Sequence, residues 1–139
     1  NKIEFCFTSY SIINKKNTII KFIKAKKNID YKDLIKSCDI GLSTVMLKTR
    51  LLKKIKFTKI KTKEDYILWL KLSKKNVKMM GLDQKLVLWR KLDNSLSSSV
   101  FQRVKDAFYV YNSFLNLNFI KSIYHIFLMS LNFFRKRYL

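Results

Sequence analysis

The stretch Thr62-Lys63-Glu64-Asp65-Tyr66-Ile67-Leu68-Trp69-Leu70-Lys71-Leu72 decides how this chain of 139 residues is read. The Thr62 hydroxyl can accept from an amide near Asp65, and Glu64 and Asp65 stand where the positive end of a helix dipole favours carboxylates. Tyr66, Leu68, Trp69, Leu70 and Leu72 then make a broad apolar stripe, and Lys71, Lys74 and Lys75 fall toward the C-terminal end, where cations are favoured. The spacing predicts a helix over 62–75 with a broad buried stripe.

Working outward from that helix, Gly41-Leu42-Ser43-Thr44-Val45-Met46-Leu47 reads as a buried strand leading into a helical turn over 50–55. Earlier still, residues 3–13 are rich in Phe, Thr, Tyr and Ile and end at the polar turn Asn14-Lys15-Lys16-Asn17. The pattern resumes over 18–23, which predicts an antiparallel hairpin. Asp30 can cap a short helix over 31–37. On the C-terminal side, short strands over 77–82 and 85–90 flank a turn at Asp83-Gln84. After the polar stretch 93–99 the chain is helical in character, with a break at 116–118. Between 114 and 135, Asn118, Lys121, Ser122, His125 and Asn132 share one narrow face, expected to be solvated. Phe119, Ile120, Ile123, Phe127, Leu131 and Phe134 occupy a wide apolar one.

Composition limits what such a chain can be. At 48% hydrophobic with 14% aromatics it has enough apolar surface for a packed core, which excludes intrinsic disorder. Thirty basic residues against nine acidic ones leave a formal charge of +21, which favours anionic partners without choosing among nucleic acid, lipid and phosphorylated substrates. Two cysteines, Cys6 and Cys38, with no CxxC and no His-rich neighbourhood, suggest neither a zinc site nor a disulfide framework. No uninterrupted apolar run reaches the ~20 residues of a transmembrane helix. The opening Asn1-Lys2-Ile3-Glu4-Phe5 has no signal-peptide character and reads as a start in mid-protein.

Three pieces in order resemble the acceptor-binding half of family 2 glycosyltransferases with the GT-A fold. They are the small-residue strand Gly41-Leu42-Ser43-Thr44-Val45-Met46, the Glu64-Asp65 pair opening its helix, and Leu86-Val87-Leu88-Trp89-Arg90 followed by Asn94-Ser95-Leu96-Ser97. Phe7-Thr8-Ser9-Tyr10 is similar to the segment that follows the donor-binding region in that family. The resemblance implies an α/β fold, the C-terminal portion of a GT-A domain with a short mixed sheet and flanking helices. Residues 1–99 would be the acceptor-side part of the catalytic domain and residues 100–139 a helical, amphipathic, membrane-associated tail. The Asp-x-Asp motif that holds the divalent metal and nucleotide diphosphate in this family occurs nowhere in the chain.

By resemblance, Asp65 is the general base that takes a proton from the acceptor hydroxyl in an inverting transfer, and Glu64 orients the helix terminus or contacts the acceptor. Adjacent like charge would raise one of the two pKa values. Two acids in a first turn are also what the dipole favours without any catalysis, and that reading stays open here. Arg90 is a candidate for phosphate contacts, since a guanidinium matches phosphate bidentately, with an ordinary surface Arg as the alternative. Trp69 is expected to pack the core, with sugar stacking as its second reading. Ser43, Thr44, Ser95 and Ser97 are candidates to line the acceptor pocket. The resemblance further implies a nucleotide-sugar donor, UDP-linked, and a saccharide or lipid-linked acceptor of bacterial surface-polysaccharide or lipopolysaccharide synthesis. It implies Mg²⁺ or Mn²⁺ in the intact enzyme with no metal ligand in this chain, no activity of this chain alone, and work at the cytoplasmic face of the cell membrane. A small basic nucleic-acid-binding protein is the alternative from another class. Its Lys residues would be gathered on one element, whereas here they are scattered and no RNP, KH, zinc-finger or helix-turn-helix signature is present.

Overall fold

The computed structural model describes residues 3–53, 55–92, 95 and 99–138, with side chains to 135. A mixed five-stranded sheet carries the fold. β1 (Phe5–Ile13) runs through its centre, antiparallel to β2 (Ile19–Ile23) at one end and to β4 (Val45–Leu47) at the other. Along its whole length β1 pairs in parallel with β5 (Met79–Arg90), and β3 (Asn28–Ile29) pairs antiparallel with the start of β5. Helices flank the sheet, giving the α/β class expected from the sequence.

Strict alternation along β1 buries Phe5, Phe7, Ser9, Ser11 and Ile13 on one side. α2 (Glu64–Lys74) packs on that side. Its Tyr66, Ile67, Leu68, Trp69, Leu70 and Leu72 are at most 1% exposed, and Phe5 meets Trp69 edge to face at 4.9 Å. Full burial of side chains of this size stabilises by about 1.5–3 kcal/mol each, so this helix anchors the core. Val110, Phe114, Leu115 and Met129 from the C-terminal helices join the same cluster.

The segment between β2 and β3 passes from one edge of the sheet to the other across the core side. Ala25 N donates to Ser9 Oγ at 2.8 Å, and Gly81 N donates to Lys27 O at 2.9 Å. A Cβ at Gly81 would stand 2.1 Å from Lys26 O, so this position must be glycine for the strap to cross. α1 (Tyr31–Leu34) follows, opened as expected by a reciprocal capping box between Asp30 and Asp33.

Three local expectations are corrected. The stretch 41–47 is not a buried strand: Leu42–Thr44 is a 3₁₀ turn and only Val45–Leu47 extend, at an edge where Met46 is 74% exposed. The turn over 50–55 is a short 3₁₀ helix, Thr49–Leu52. Asp83-Gln84 does not separate two strands. β5 is continuous, and its register against β1 jumps from Leu82 opposite Thr8 to Lys85 opposite Ser9, a bulge that accommodates the extra residues. Asp83 there accepts from Ser9 Oγ at 2.9 Å and pairs with Lys24 at 2.9 Å, holding the strap down.

After residue 99 come α3 (Val100–Tyr109), a single π turn (Val110–Phe114) and α4 (Phe119–Tyr138), with the break at 115–118 where the sequence placed it. Ser99 caps α3, and the Asn118 side-chain Oδ1 accepts from Lys121 N at the start of α4.

Candidate active site

The first turn of α2 is held by a partner 44 residues away. The Thr62 amide and hydroxyl both donate to Asp106 Oδ2, at 2.9 and 2.7 Å, and Gln102 Nε2 donates to Asp106 Oδ1 at 2.9 Å. Thr62 is therefore not the helix cap expected from the sequence. Its side chain is turned to α3, and the capping position is Lys63, which makes no side-chain cap. Lys63 is left-handed, with φ 67°, a conformation that costs a non-glycine residue roughly 1–2 kcal/mol and persists where the surroundings impose it. Below the turn, Tyr66 Oη donates to Leu34 O at 2.6 Å and lies 3.2 Å from Tyr111 Oη, which donates to Ile35 O at 3.0 Å. Burial pushes both phenols far above the ordinary tyrosine range, so they are fixed neutral donors.

Glu64 and Asp65 sit half-buried on this fixed turn. Burial raises the Asp65 carboxyl above the usual carboxylate range and the Glu64 charge adds to the rise. The Tyr66 amide, 2.7 Å from Oδ1, and the Lys63 charge offset part of it. A raised carboxylate on a rigid helix terminus suits proton abstraction better than an ordinary surface acid does.

The other residues chosen from the sequence do not gather around this pair. Trp69 lies in the core at 1% exposed, one helical turn below Asp65, where its ring has no face free for a sugar. Arg90 stands at the far end of β5 and donates from Nη1 to Asn14 O and Asn17 Oδ1, at 3.2 and 2.6 Å, clamping the β1–β2 turn. Thr44 is buried and its hydroxyl donates to Gly41 O at 2.7 Å, within its own turn, while Ser43 is exposed. Ser95 is half-buried in a bend, and Ser97 lies outside the described residues.

Among the described residues, the clefts on the surface include two beside the sheet. One of about 480 Å³ is lined by Tyr10, Ile23, the strap Lys24 to Lys27, Cys38 and Asp39, and one of about 310 Å³ by Ile3, Glu4, Met80 and residues 75–78. The first adjoins the turn holding Ser43 and Thr44, since a methyl added at Gly41 would stand 3.7 Å from the Tyr10 ring. Burial raises the Tyr10 phenol, with Cys38 and Asp39 adding to it. Sequence reasoning missed the strap lysines and Asp106 as parts of this region. Asp106 was visible only as the last acid of a basic chain, with nothing local to tie it to Thr62. Among the described residues no three His, Cys, Asp or Glu side chains come together as metal ligands.

No family model matches the chain. TuaG of Bacillus subtilis, whose name assigns it to teichuronic acid biosynthesis as a glycosyltransferase, is 34% identical over 119 residues, 85% of this chain and 47% of TuaG. Its relatives are glycosyltransferases. WfgD of Escherichia coli, named a UDP-Glc:alpha-D-GlcNAc-diphosphoundecaprenol beta-1,3-glucosyltransferase, is 34% identical over 127 residues, 91% of this chain and 49% of WfgD. WfaP of Escherichia coli, named for the same activity, is 31% identical over 103 residues, 74% of this chain and 40% of WfaP. The chain thus spans about half the length, or less, of the curated relatives it matches. The resemblance drawn from residues 39–99 and the likeness to these glycosyltransferases point the same way.

Proposed function

We propose that this chain is the acceptor-side part of a family 2, GT-A glycosyltransferase of bacterial surface-polysaccharide synthesis, with Asp65 as its general base. The observation that carries the reading is the half-buried, pKa-raised Asp65 on a helix terminus held by the Thr62–Asp106 tie. As the acceptor hydroxyl oxygen attacks the anomeric carbon, its proton passes to the Asp65 carboxylate and the bond to the nucleotide diphosphate breaks, inverting the centre. Glu64 keeps Asp65 a stronger base through its charge, and Trp69 acts from the core by holding the helix that presents it.

The donor is proposed to be a UDP-sugar and the acceptor a saccharide or a lipid-linked diphosphate, as the names of WfgD and WfaP state for those proteins. Arg90, Ser43 and the described part of the Ser-rich loop are assigned to the outer acceptor contacts. A divalent cation and the nucleotide belong to residues that the chain does not contain, since it has no Asp-x-Asp. The chain alone is therefore expected to show no metal-dependent binding of sugar nucleotides by calorimetry.

The deciding experiment uses the intact enzyme. Asp65→Asn is expected to lower turnover by about 10²–10⁴-fold, the usual loss for a positioned base, with melting temperature and donor affinity nearly unchanged. Glu64→Gln is expected to cost less. Near-normal turnover of Asp65→Asn would remove Asp65 from the mechanism and leave the two acids as dipole partners only.

A further inference from the structure

α4 packs on the domain with its polar side inward. Ser122 is fully buried, His125 stacks on Tyr111 at 5.2 Å between ring centres, and Asn132 Nδ2 donates to Lys36 O at 3.0 Å. His125 was expected to be solvated; the structure places it at the contact, where burial lowers its pKa against the raising effect of the hydrogen bond the ring donates to the Ile35 carbonyl. α4 is braced to α3 by Phe119, which meets Phe108 edge to face at 5.8 Å, and by Phe133, whose ring centre lies 5.6 Å from the Arg103 guanidinium. The apolar sides of the two helices turn outward, where Phe101, Val104, Ile120 and Phe127 are exposed.

The inward side of this pair closes on the turn that opens α2. Asp106 of α3 holds Thr62 by its amide and hydroxyl, and Tyr111 of the π turn lies 3.2 Å from the Tyr66 hydroxyl. Met129 of α4 takes a third position: Lys63 Nζ donates to its Sδ at 3.5 Å, with the same ammonium 5.7 Å from the centre of the Tyr66 ring. Thr62, Lys63 and Tyr66 bracket Glu64 and Asp65, and each is gripped by a different element beyond residue 99. Lys63 is the left-handed residue, with φ 67° and no side-chain cap, so its conformation is one that the surroundings impose. Asp106 and Met129 supply those surroundings from beyond α2.

We propose, on the reading of Asp65 as the general base, that the helices after residue 99 are the positioning device of the active site. Asp106, Tyr111 and Met129 are its positioning residues: they fix the turn from which Asp65 reaches the acceptor hydroxyl, and Asp65 works only while α4 is docked. A base acts within hydrogen-bond reach of the proton it takes, and a displacement of about 1 Å can cost roughly 10²-fold in rate. Supports from three elements restrain such a turn more tightly than the helix can alone. Docking of α4 also sets the charge beside the base, because the Lys63 ammonium that Met129 holds acts with Glu64 on the Asp65 carboxyl. Asp106 faces the same turn, but its carboxylate is taken up by Thr62 and Gln102.

The test compares Met129→Ala with Met129→Leu in the intact enzyme, with UDP-glucose and a lipid-linked GlcNAc diphosphate as donor and acceptor probes. Met129→Ala opens the contact with Lys63. Its kcat is expected to fall roughly 10–10²-fold with KM within about threefold. The acid limb of its kcat profile should move to lower pH, because a loosened turn gives up the burial that raises the Asp65 carboxyl. Met129→Leu conserves the volume and should keep the limb in place and kcat within about threefold. A merely structural role would lower the melting temperature without moving the limb. Should Met129→Ala fail to fold, Asn132→Ala decides, since it removes only the exposed bond from α4 to Lys36 O and should shift the limb the same way by less. An unmoved limb in the folded variants overturns the proposal. Asp65→Asn, measured alongside, separates the two readings: turnover lost there with an unmoved limb in Met129→Ala removes this inference alone, whereas near-normal turnover of Asp65→Asn removes both.

Discussion

α2 and α4 are both rich in large apolar residues, yet they face the protein in opposite ways. α2 turns Tyr66, Ile67, Leu68, Trp69, Leu70 and Leu72 into the core and is buried almost all round. α4 turns Ser122, His125 and Asn132 inward and leaves Ile120 and Phe127 outside. Apolar content therefore predicts that a helix forms and says little about which side its neighbours will take. What separates the two is the presence of a sheet: α2 lies against Phe5 and Phe7 of β1, while α4 meets a surface already lined by Tyr111 and the Lys36 carbonyl. That second surface is mixed, offering the Lys36 carbonyl to Asn132 and the apolar cluster to Met129, and the side of α4 that carries both kinds of residue is the one that fits it.

The contrast is sharpened most by truncating the centre of α2. Trp69→Ala removes a fully packed indole and leaves a cavity between α2 and β1, for which a loss of about 3–5 kcal/mol is expected. Urea unfolding followed by circular dichroism measures it. A loss under about 1 kcal/mol would mean that α2 is not the anchor of the fold and that the difference between the two helices is one of degree.

A smaller effect is expected at the contact that joins the two regions. Asp106 sits on the inward side of α3 and grips the start of α2. Asp106→Asn keeps the shape but removes the charge from two hydrogen bonds to Thr62, at an expected cost of about 1–3 kcal/mol. The sign of its pH dependence follows from the lowered folded pKa. Burial works to raise the carboxyl, and the bonds from Thr62 and Gln102 outweigh it. The stabilisation is then complete above the unfolded value of about 3.9 and is lost as pH falls through the lower folded value. Urea midpoints measured down to acid pH should show a drop in the unmodified protein that is reduced in Asp106→Asn. Equal slopes would mean that the start of α2 is held without this carboxylate. The same variant should also lower turnover if the tie positions Asp65, even where the melting temperature shows the fold intact.

Local signals served the sequence reading well. The Phe, Thr, Tyr and Ile content of 3–13 and the Asn14–Asn17 turn give the hairpin, Asp30 gives a capped helix, the acidic start and apolar stripe give α2, and the chain breaks where Asn116 and Asn118 lie. Its misses share a cause, which is a partner far away in sequence. Asp83 looks like a turn residue until Ser9 and Lys24 are beside it, and Thr62 looks like a cap until Asp106 is. The edge position of β4 depends on pairing that periodicity does not encode. The candidate site divides the same way. Glu64 and Asp65 on a helix start were legible, because dipole and stripe are local, whereas Thr44 is taken up by a bond within its own turn and Arg90 by the distant β1–β2 turn, neither of which a pattern of residue types reveals.

The smallest expected effect is the one that tests the orientation of α4 most directly. Phe127 is the same kind of residue as those packed around α2, and if it were buried its truncation would cost several kcal/mol. At 59% exposed it leaves no cavity when removed, and serine and phenylalanine have about the same helix propensity. Phe127→Ser is therefore expected to change stability by no more than about 0.5 kcal/mol, within the range of ordinary surface substitutions. The measurement is a urea midpoint compared with that of Trp69→Ala under the same conditions. A ratio near one would show that both helices bury their apolar sides within the folded protein, and the outward surface described for α3 and α4 would then be an internal one. A small effect at Phe127 beside a large one at Trp69 leaves the apolar side of α4 without a folding role. Truncation then acts only on what that face meets in solution, which makes Phe127→Ser a clean variant for any binding measurement on it.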